Sequence, residues 1–327
     1  MSEQSPMPSP PAMEAGKPAR SLFERAGEAF GLDRFAPAPM PRELAQARRP
    51  QLRVPTAGRP ARRIAAETPA TAIVPRVDFG GERQAIDRAR LRDAGLIVPD
   101  GPITALFEEF RIVRRQVLLA ARDAQRGSGS GAAQRVLVCS PLPGEGKTFT
   151  AANLALAIAM EKDAEVVLVD ADFAKPSVLS LLGLRGGDGL MDALADPAIR
   201  VEDCVIPTDI EGFFVLPAGN RSATDSEYLA SARTAQVLDR LTQGAPERIL
   251  IFDSPPALAA SPAAELAKHV AQAVLVARAG RTGQSALEDA VSLLSACPDI
   301  KLLLNAAHFS PSGRRFGDYY GQAEQDG

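Results

Sequence analysis

The nine residues Ser140-Pro141-Leu142-Pro143-Gly144-Glu145-Gly146-Lys147-Thr148 follow directly on the apolar run Val136-Leu137-Val138-Cys139 and lead into the alanine-rich helical stretch Ala151 to Met160. A strand that passes through a glycine-rich turn into a helix aims backbone N–H groups and a helix N-terminus at one point. An anion there is stabilised by hydrogen bonds and dipole together. Lys147 adds a mobile positive charge suited to β- and γ-phosphates, and the Thr148 hydroxyl suits the Mg²⁺ that accompanies them. The expected phosphate-binding set is Pro143, Gly144, Glu145, Gly146, Lys147, Thr148 and Phe149. An ordinary turn between strand and helix needs neither a lysine nor a hydroxyl at those places.

Two further runs end in acid. Glu165-Val166-Val167-Leu168-Val169-Asp170-Ala171-Asp172 and Arg248-Ile249-Leu250-Ile251-Phe252-Asp253 are aliphatic on both faces, the pattern of central strands in a parallel sheet covered by helices. Ligands of open α/β sheets lie beyond the carboxyl ends of the strands, so Asp170, Asp172 and Asp253 are expected to converge on the phosphate loop. Carboxylates there bind Mg²⁺, usually through its water shell, or accept a proton from an attacking hydroxyl. Capping the helices that follow is the alternative use of any one of them.

Apolar runs near 135–139, 165–170, 212–216, 248–253, 273–277 and 301–305 alternate with helical patterns near 148–161, 226–243, 262–269 and 283–296, after a first helix over 105–122. The alternation predicts a doubly wound, mostly parallel sheet with right-handed crossovers, a nucleotide-binding α/β fold. Three domains are expected: an arm over 1–80, the α/β domain over 81–309, and a tail over 310–327 that carries Tyr319 and Tyr320.

With 327 residues, 46% of them hydrophobic, the chain can build one full core and still leave a long arm. Proline, alanine and arginine crowd the first hundred residues, which reads as mostly disordered. That stretch holds 16 Lys and Arg against 12 Asp and Glu, a net +4, whereas the remainder, with 21 against 28, nets −7. A dilute basic arm on an acidic domain suits a solvated linker or contact with an anionic membrane surface, and no nucleic-acid partner is expected. One island in the arm, over 21–31, has the capping-box pattern Ser21-Leu22-Phe23-Glu24 and places Leu22, Phe23, Ala26 and Phe30 on one face. Cys139, Cys204 and Cys297 are scattered without metal-ligand spacing, which disfavours disulfides and zinc and suits a reducing cytoplasm. No apolar run approaches the roughly 20 residues that span a bilayer, so a membrane role is expected only through a partner.

The loop also bears on the branch of phosphate-loop proteins. Members of the MinD and ParA group carry a second lysine two residues before the first loop glycine, and Leu142 stands there. The segment resembles instead the bacterial tyrosine kinase family, whose loop runs Ser-x-x-Pro-Gly-Glu-Gly-Lys-[Ser/Thr]. The resemblance continues in order through Asp170 to Ser177, Gly189 to Leu194, Leu216 to Gly219 and Phe252 to Pro256. It covers about Ile103 to Asn305. Asp318-Tyr319-Tyr320-Gly321 and the stretch Gly146 to Ala151 are similar to the exosortase-associated exopolysaccharide autokinases of that family. Ala174 departs from the pattern, which has arginine there, and leaves Lys175 as the nearest cation.

The resemblance implies an ATP- and Mg²⁺-dependent protein-tyrosine autokinase. Lys147 would work on the phosphates, Asp172 and Asp253 would join Thr148 at Mg²⁺, and Asp170 would accept the tyrosyl proton. Tyr319 and Tyr320 would be the phosphoacceptors, and Asn305 would contact adenine or, read alone, would end a strand. Glu108-x-x-Arg111-x-x-Arg114 implies assembly into a ring with trans autophosphorylation, though residues three apart also pair within one helix. The implied partners are a membrane chain-length-determinant or polysaccharide co-polymerase protein and a tyrosine phosphatase, with the chain peripheral at the inner face of the plasma membrane. The alternatives are a MinD/ParA-like ATPase switch that phosphorylates no protein, and a nucleotide-binding scaffold.

Overall fold

Residues of the central strands alternate between two helical layers because those strands are buried on both faces. Val136 and Val138 of the first long strand belong to one core and Leu137 and Cys139 to the other, all four fully buried. The architecture is that of a computed structural model, which describes residues 74–128, 130–220 and 224–307. These residues all belong to one compact unit, Pro69–Gly327. The helix expected over 21–31, most of the arm, and the tail with Tyr319 and Tyr320 lie outside the described residues.

The described elements are α1 (Arg88–Asp93), α2 (Ala105–Ser128), β1 (Arg135–Cys139), α3 (Lys147–Ala159), β2 (Glu165–Asp170), α4 (Val178–Leu182), α5 (Leu190–Ala195), α6 (Val201–Cys204), β3 (Ile206–Pro207) and β4 (Phe213–Leu216). There follow α7 (Asp225–Ala230), α8 (Ala232–Thr242), β5 (Arg248–Asp253), α9 (Pro262–Ala267), β6 (Gln272–Arg278), α10 (Gln284–Leu293) and β7 (Asp299–Asn305). The seven strands lie in the order β3-β4-β2-β5-β1-β6-β7. All pairings are parallel except β3 on β4. From β1 the chain moves towards β2 and β4, and from β5 it crosses to β6 and β7 on the other side. The crevice beyond β1, β2 and β5 therefore lies at the reversal, where such sheets place ligands.

The six strands expected from the sequence are present, within two residues at each end. The two-residue antiparallel β3 is too short to leave a pattern in sequence. The single helix expected over 226–243 is two, because Ser231 takes an extended conformation between α7 and α8. Thr234 Oγ1 donates to the Tyr228 carbonyl across that break at 2.9 Å. Helix α3 is buried along its whole middle, Thr150 to Ile158, because it lies between the sheet and α2. An alanine-rich helix suits that place, since small side chains let both neighbours approach. Helix α2 is amphipathic by contrast, burying Phe110, Val117 and Ala121.

Packing begins upstream of the expected domain start at residue 81. Arg248, only 1% exposed, donates from Nη1 to the carbonyls of Val77 and Leu241 at 2.9 and 2.7 Å and from Nε to Glu165 at 2.9 Å. Its guanidinium stacks 4.1 Å from the centre of the Phe79 ring, which meets Phe214 edge-on. Arg76 adds ion pairs to Glu165 and Glu247. Downstream, the buried Asn153 ties α3 to the segment after α1 by accepting from Ile97 N at 2.8 Å. Replacing Arg248 with methionine keeps roughly the volume but strands two carbonyls and leaves Glu165 with Arg76 as its cation partner. Urea unfolding of Arg248→Met should show a loss of about 3 kcal/mol, and a loss below about 1 kcal/mol would mean that Arg248 does not anchor the segment.

Candidate active site

The phosphate loop is built from both ends. Its N-terminal part is fixed by the chain after β5: Ala257 N donates to Ser140 O at 2.8 Å, and Leu258 N to Pro141 O at 3.2 Å. Ser254 N and its hydroxyl both donate to Val138 O. The C-terminal part becomes the first turn of α3, whose leading N–H groups have no intrahelical acceptor. Gly144 and Gly146 take left-handed φ values of 77° and 97°. A Cβ at Gly146 would in addition overlap the Asn305 amide, so glycine is required twice over. Pro143 and Gly144 are exposed at the crown, and Glu145 is turned inwards, 1% exposed.

The acids meet this loop from two strands. Residues Asp170 and Asp253 are register partners at the ends of β2 and β5, and Ala171 N donates to Asp253 O at 2.8 Å. Lys147 Nζ donates to Asp172 Oδ2 at 2.8 Å and lies 4.0 Å from Asp253 Oδ1. Its Nζ is also 3.5 Å from the Thr148 hydroxyl. The structure thus brings Lys147, Thr148, Asp172 and Asp253 together, with Asp170 beside them.

Their surroundings differ. Both carboxylate oxygens of Asp253 are buried without a hydrogen-bond partner among the described residues. Burial pushes its pKa up to about 7 against the pull of Lys147 and the nearby Thr148 hydroxyl, with Asp170 and Asp172 adding to the rise. Thr148 exerts that pull without reaching hydrogen-bond geometry. Burial also raises Asp170, opposed by N–H groups of Val178, Ser177 and Asp172. Asp170 Oδ2 accepts from Ser177 N and Val178 N, both at 2.9 Å, while Oδ1 has one longer contact, 3.3 Å to Asp172 N. Burial works against the charge on Lys147, but Asp253, Asp172 and Asp170 outweigh it and hold its pKa above the ordinary lysine value.

This donor set fits a hydrated divalent cation accompanying phosphates. Two orphaned carboxylate oxygens of Asp253 lie beside a lysine and a hydroxyl at a helix N-terminus. No group of three or more His, Cys, Asp or Glu side chains forms a metal cage among the described residues. Mg²⁺ needs none, since it keeps several waters and takes phosphate oxygens as ligands.

The remaining expected residues lie elsewhere or do something further. Phe149 turns its ring to Phe110 of α2, edge-on at 6.5 Å, leaving its backbone N–H for the loop. Asn305 Nδ2 donates to Glu145 O at 2.8 Å and its Oδ1 accepts from Ala306 N, so its amide faces the loop backbone. On α2, Arg111 pairs with Glu108 at 2.7 Å, while Arg114 is drawn inwards to Ala157 O and Glu161. Lys175 is exposed after the turn that Ala174 occupies.

Sequence reasoning missed how two of its quoted segments join. Leu190 N and Met191 N donate to Pro217 O and Ala218 O at 2.9 and 3.0 Å. Asp192 accepts from Gly189 N, Asn220 N and Asn220 Nδ2. Gly219, at φ 83°, has no room for a Cβ beside that carboxylate. Glycine and aspartate three apart in the first segment, and the glycine that ends the second, were the available signal.

No protein-family model matches the chain. The tyrosine-protein kinase YwqD of Bacillus subtilis (strain 168) is 31% identical over 211 residues, 64% of this chain and 84% of YwqD. The tyrosine-protein kinase wzc of Salmonella typhimurium is 30% identical over 189 residues, 58% of this chain. The chain spans only 25% of that relative's length. Among solved structures, the BceF tyrosine kinase domain superposes with a TM-score of 0.51 at 26% identity, over 70% of this chain and 93% of that domain.

Asp253 also sets a pH dependence. Its pKa in the folded, ligand-free state lies above the unfolded carboxylate value near 4, so the folded state holds the extra proton between the two. That contribution is complete below about pH 4 and is lost as pH rises through about 7. In EDTA without nucleotide, Asp253→Asn should therefore raise Tm at pH 8 and raise it much less at pH 5. An equal rise at the two pH values would mean that Asp253 is already ionised throughout.

Proposed function

Since the chain belongs to the bacterial tyrosine-protein kinase family, we propose that it is an ATP- and Mg²⁺-dependent protein-tyrosine autokinase. It phosphorylates Tyr319 and Tyr320 of its own tail, in trans within a ring of copies, and regulates exopolysaccharide synthesis or export. The observation that carries this reading is Lys147 held between Asp172 and Asp253 at the mouth of the phosphate loop.

Phosphoryl transfer asks for positioning and charge neutralisation more than for covalent chemistry. Backbone N–H groups over Gly144 to Thr148 bind the β- and γ-phosphates, and Lys147 exchanges Asp172 for them. Thr148, Asp172 and Asp253 would hold Mg²⁺, which would supply neutralisation of the charge that builds on the phosphates. The attacking phenol has a pKa near 10 and needs a base. Asp170 takes that proton on Oδ1, its less encumbered oxygen, while Oδ2 stays fixed by Ser177 and Val178. The phenol oxygen bonds to the γ-phosphorus, the bond to the β-phosphate oxygen breaks, and ADP leaves. Lys175 is the cation nearest to the place where the family pattern has arginine.

No helix among the described residues is long and apolar enough to cross a membrane. In this reading a membrane co-polymerase protein recruits the chain to the inner face of the plasma membrane, and its cytoplasmic segment activates it. A tyrosine phosphatase resets the tail. Doubly phosphorylated, the tail adds about −3 to −4 of charge and weakens an assembly in which tails occupy neighbouring sites.

Incubation of the full chain with ATP and Mg²⁺ should yield phosphotyrosine at Tyr319 and Tyr320 by mass spectrometry. Lys147→Met should abolish it, as should Tyr319→Phe with Tyr320→Phe, the latter sparing nucleotide binding. Asp170→Asn should cut the label at least a hundredfold, the scale of a positioned base. Phosphate release without phosphotyrosine, even with the co-polymerase segment present, would assign the chain to the ATPase switches.

A further inference from the structure

Four groups outside the phosphate-binding N–H set close a loop of contacts around Glu145. Its Oε2 accepts from Leu142 N at 2.8 Å, which folds the carboxylate back across the turn. Its Oε1 accepts from the Thr282 hydroxyl, which lies after β6. The same hydroxyl accepts from Arg278 N at 2.8 Å, so Thr282 joins two elements. Arg278 Nη1 reaches the Gly144 carbonyl at 3.2 Å, and Asn305 at the end of β7 reaches the Glu145 carbonyl at 2.8 Å.

A buried carboxylate beside an anion site opposes anion binding by its charge. Glu145 is 1% exposed and lies within the very loop that would cradle phosphates. Its presence there is explained by geometry, since a carboxylate accepts from a backbone N–H and a hydroxyl at once. Arg278 and Asn305 in turn hold the Gly144 and Glu145 carbonyls, so that these two acceptors of the loop are already engaged.

We infer that Thr282, with Arg278 and Asn305, forms a clamp that presets the phosphate loop, and that Thr282 is a positioning residue for nucleotide binding acting through Glu145. This rests on the proposed reading of the loop as the nucleotide site, though not on tyrosine as the acceptor. A preset loop spares the ligand the cost of ordering it, so a broken clamp weakens every ligand that carries a β-phosphate.

The test is binding of ADP and of ATP, each with Mg²⁺, by titration calorimetry on the full chain, with Tm recorded without ligand. Thr282→Val should raise Kd for both nucleotides about tenfold. Because it removes a donor to the buried Glu145 carboxylate, it should also lower ligand-free Tm by a few degrees. Thr282→Ser should return Kd to within about twofold and restore Tm. Asn305→Ala reads the same clamp from β7 and should also weaken both nucleotides. Wild-type affinity in both Thr282→Val and Asn305→Ala would overturn the clamp. A fall in ligand-free Tm that accompanies the binding loss and is not repaired by Thr282→Ser would overturn it as well, leaving Thr282 a folding role only. Tight nucleotide binding by the wild type without phosphotyrosine would defeat the kinase reading and leave the clamp standing.

Discussion

Parallel pairing of β2 with β5 is the constraint from which the site follows. Register fixes Asp170 opposite Asp253 at the carboxyl ends of adjacent strands, and β1 on the other side of β5 delivers the phosphate loop to the same edge. A slip of one residue in either strand would send its acid into a helical layer, because successive side chains face opposite cores. The register is well specified because both faces of these strands are buried, with β5 buried at every position. Core packing and charge placement are thus one arrangement seen from two sides.

Much of this was legible in the chain because the features are local. Strand, turn and helix are contiguous around Lys147, and the two acidic runs state both their burial and their ends. The convergence of Lys147, Asp172 and Asp253 followed from the general rule that parallel sheets gather ligands at one edge. What sequence reading could not reach depends on contacts between distant segments. The Glu145 contact with Thr282, the inward turn of Arg114 and the Asp192 clasp on Asn220 each join residues whose own neighbourhoods do not announce a partner. Short elements failed for a different reason. Helices such as α1 and α4 have barely more than one turn, too few residues for a period to be seen.

The three outcomes for expected site residues have physical causes. Phe149 shares its helix with Thr148, but one position round the turn sends its ring towards α2 instead of the loop mouth. Asn305 ends β7 at the height of the loop, and a side-chain amide there satisfies a carbonyl that the left-handed turn at Gly146 leaves facing it. Arg114 lies three residues beyond Arg111, yet α2 rests on α3, so the guanidinium finds the Ala157 carbonyl and Glu161 near the end of α3.

The pairing of Lys147 with Asp172 makes the lysine an internal counterion. In the proposed kinase, Lys147 leaving for a phosphate would strand two carboxylates, one of them wholly enclosed, and their mutual repulsion would oppose the move. A nucleotide arriving bare would meet that repulsion in full, and a divalent ion arriving bare would meet an ammonium already in its place. In the proposed kinase only the two together would restore neutrality on both sides of the mouth. Such a site would act as a coincidence detector, responding to the metal–nucleotide complex as a single ligand and discriminating against either half.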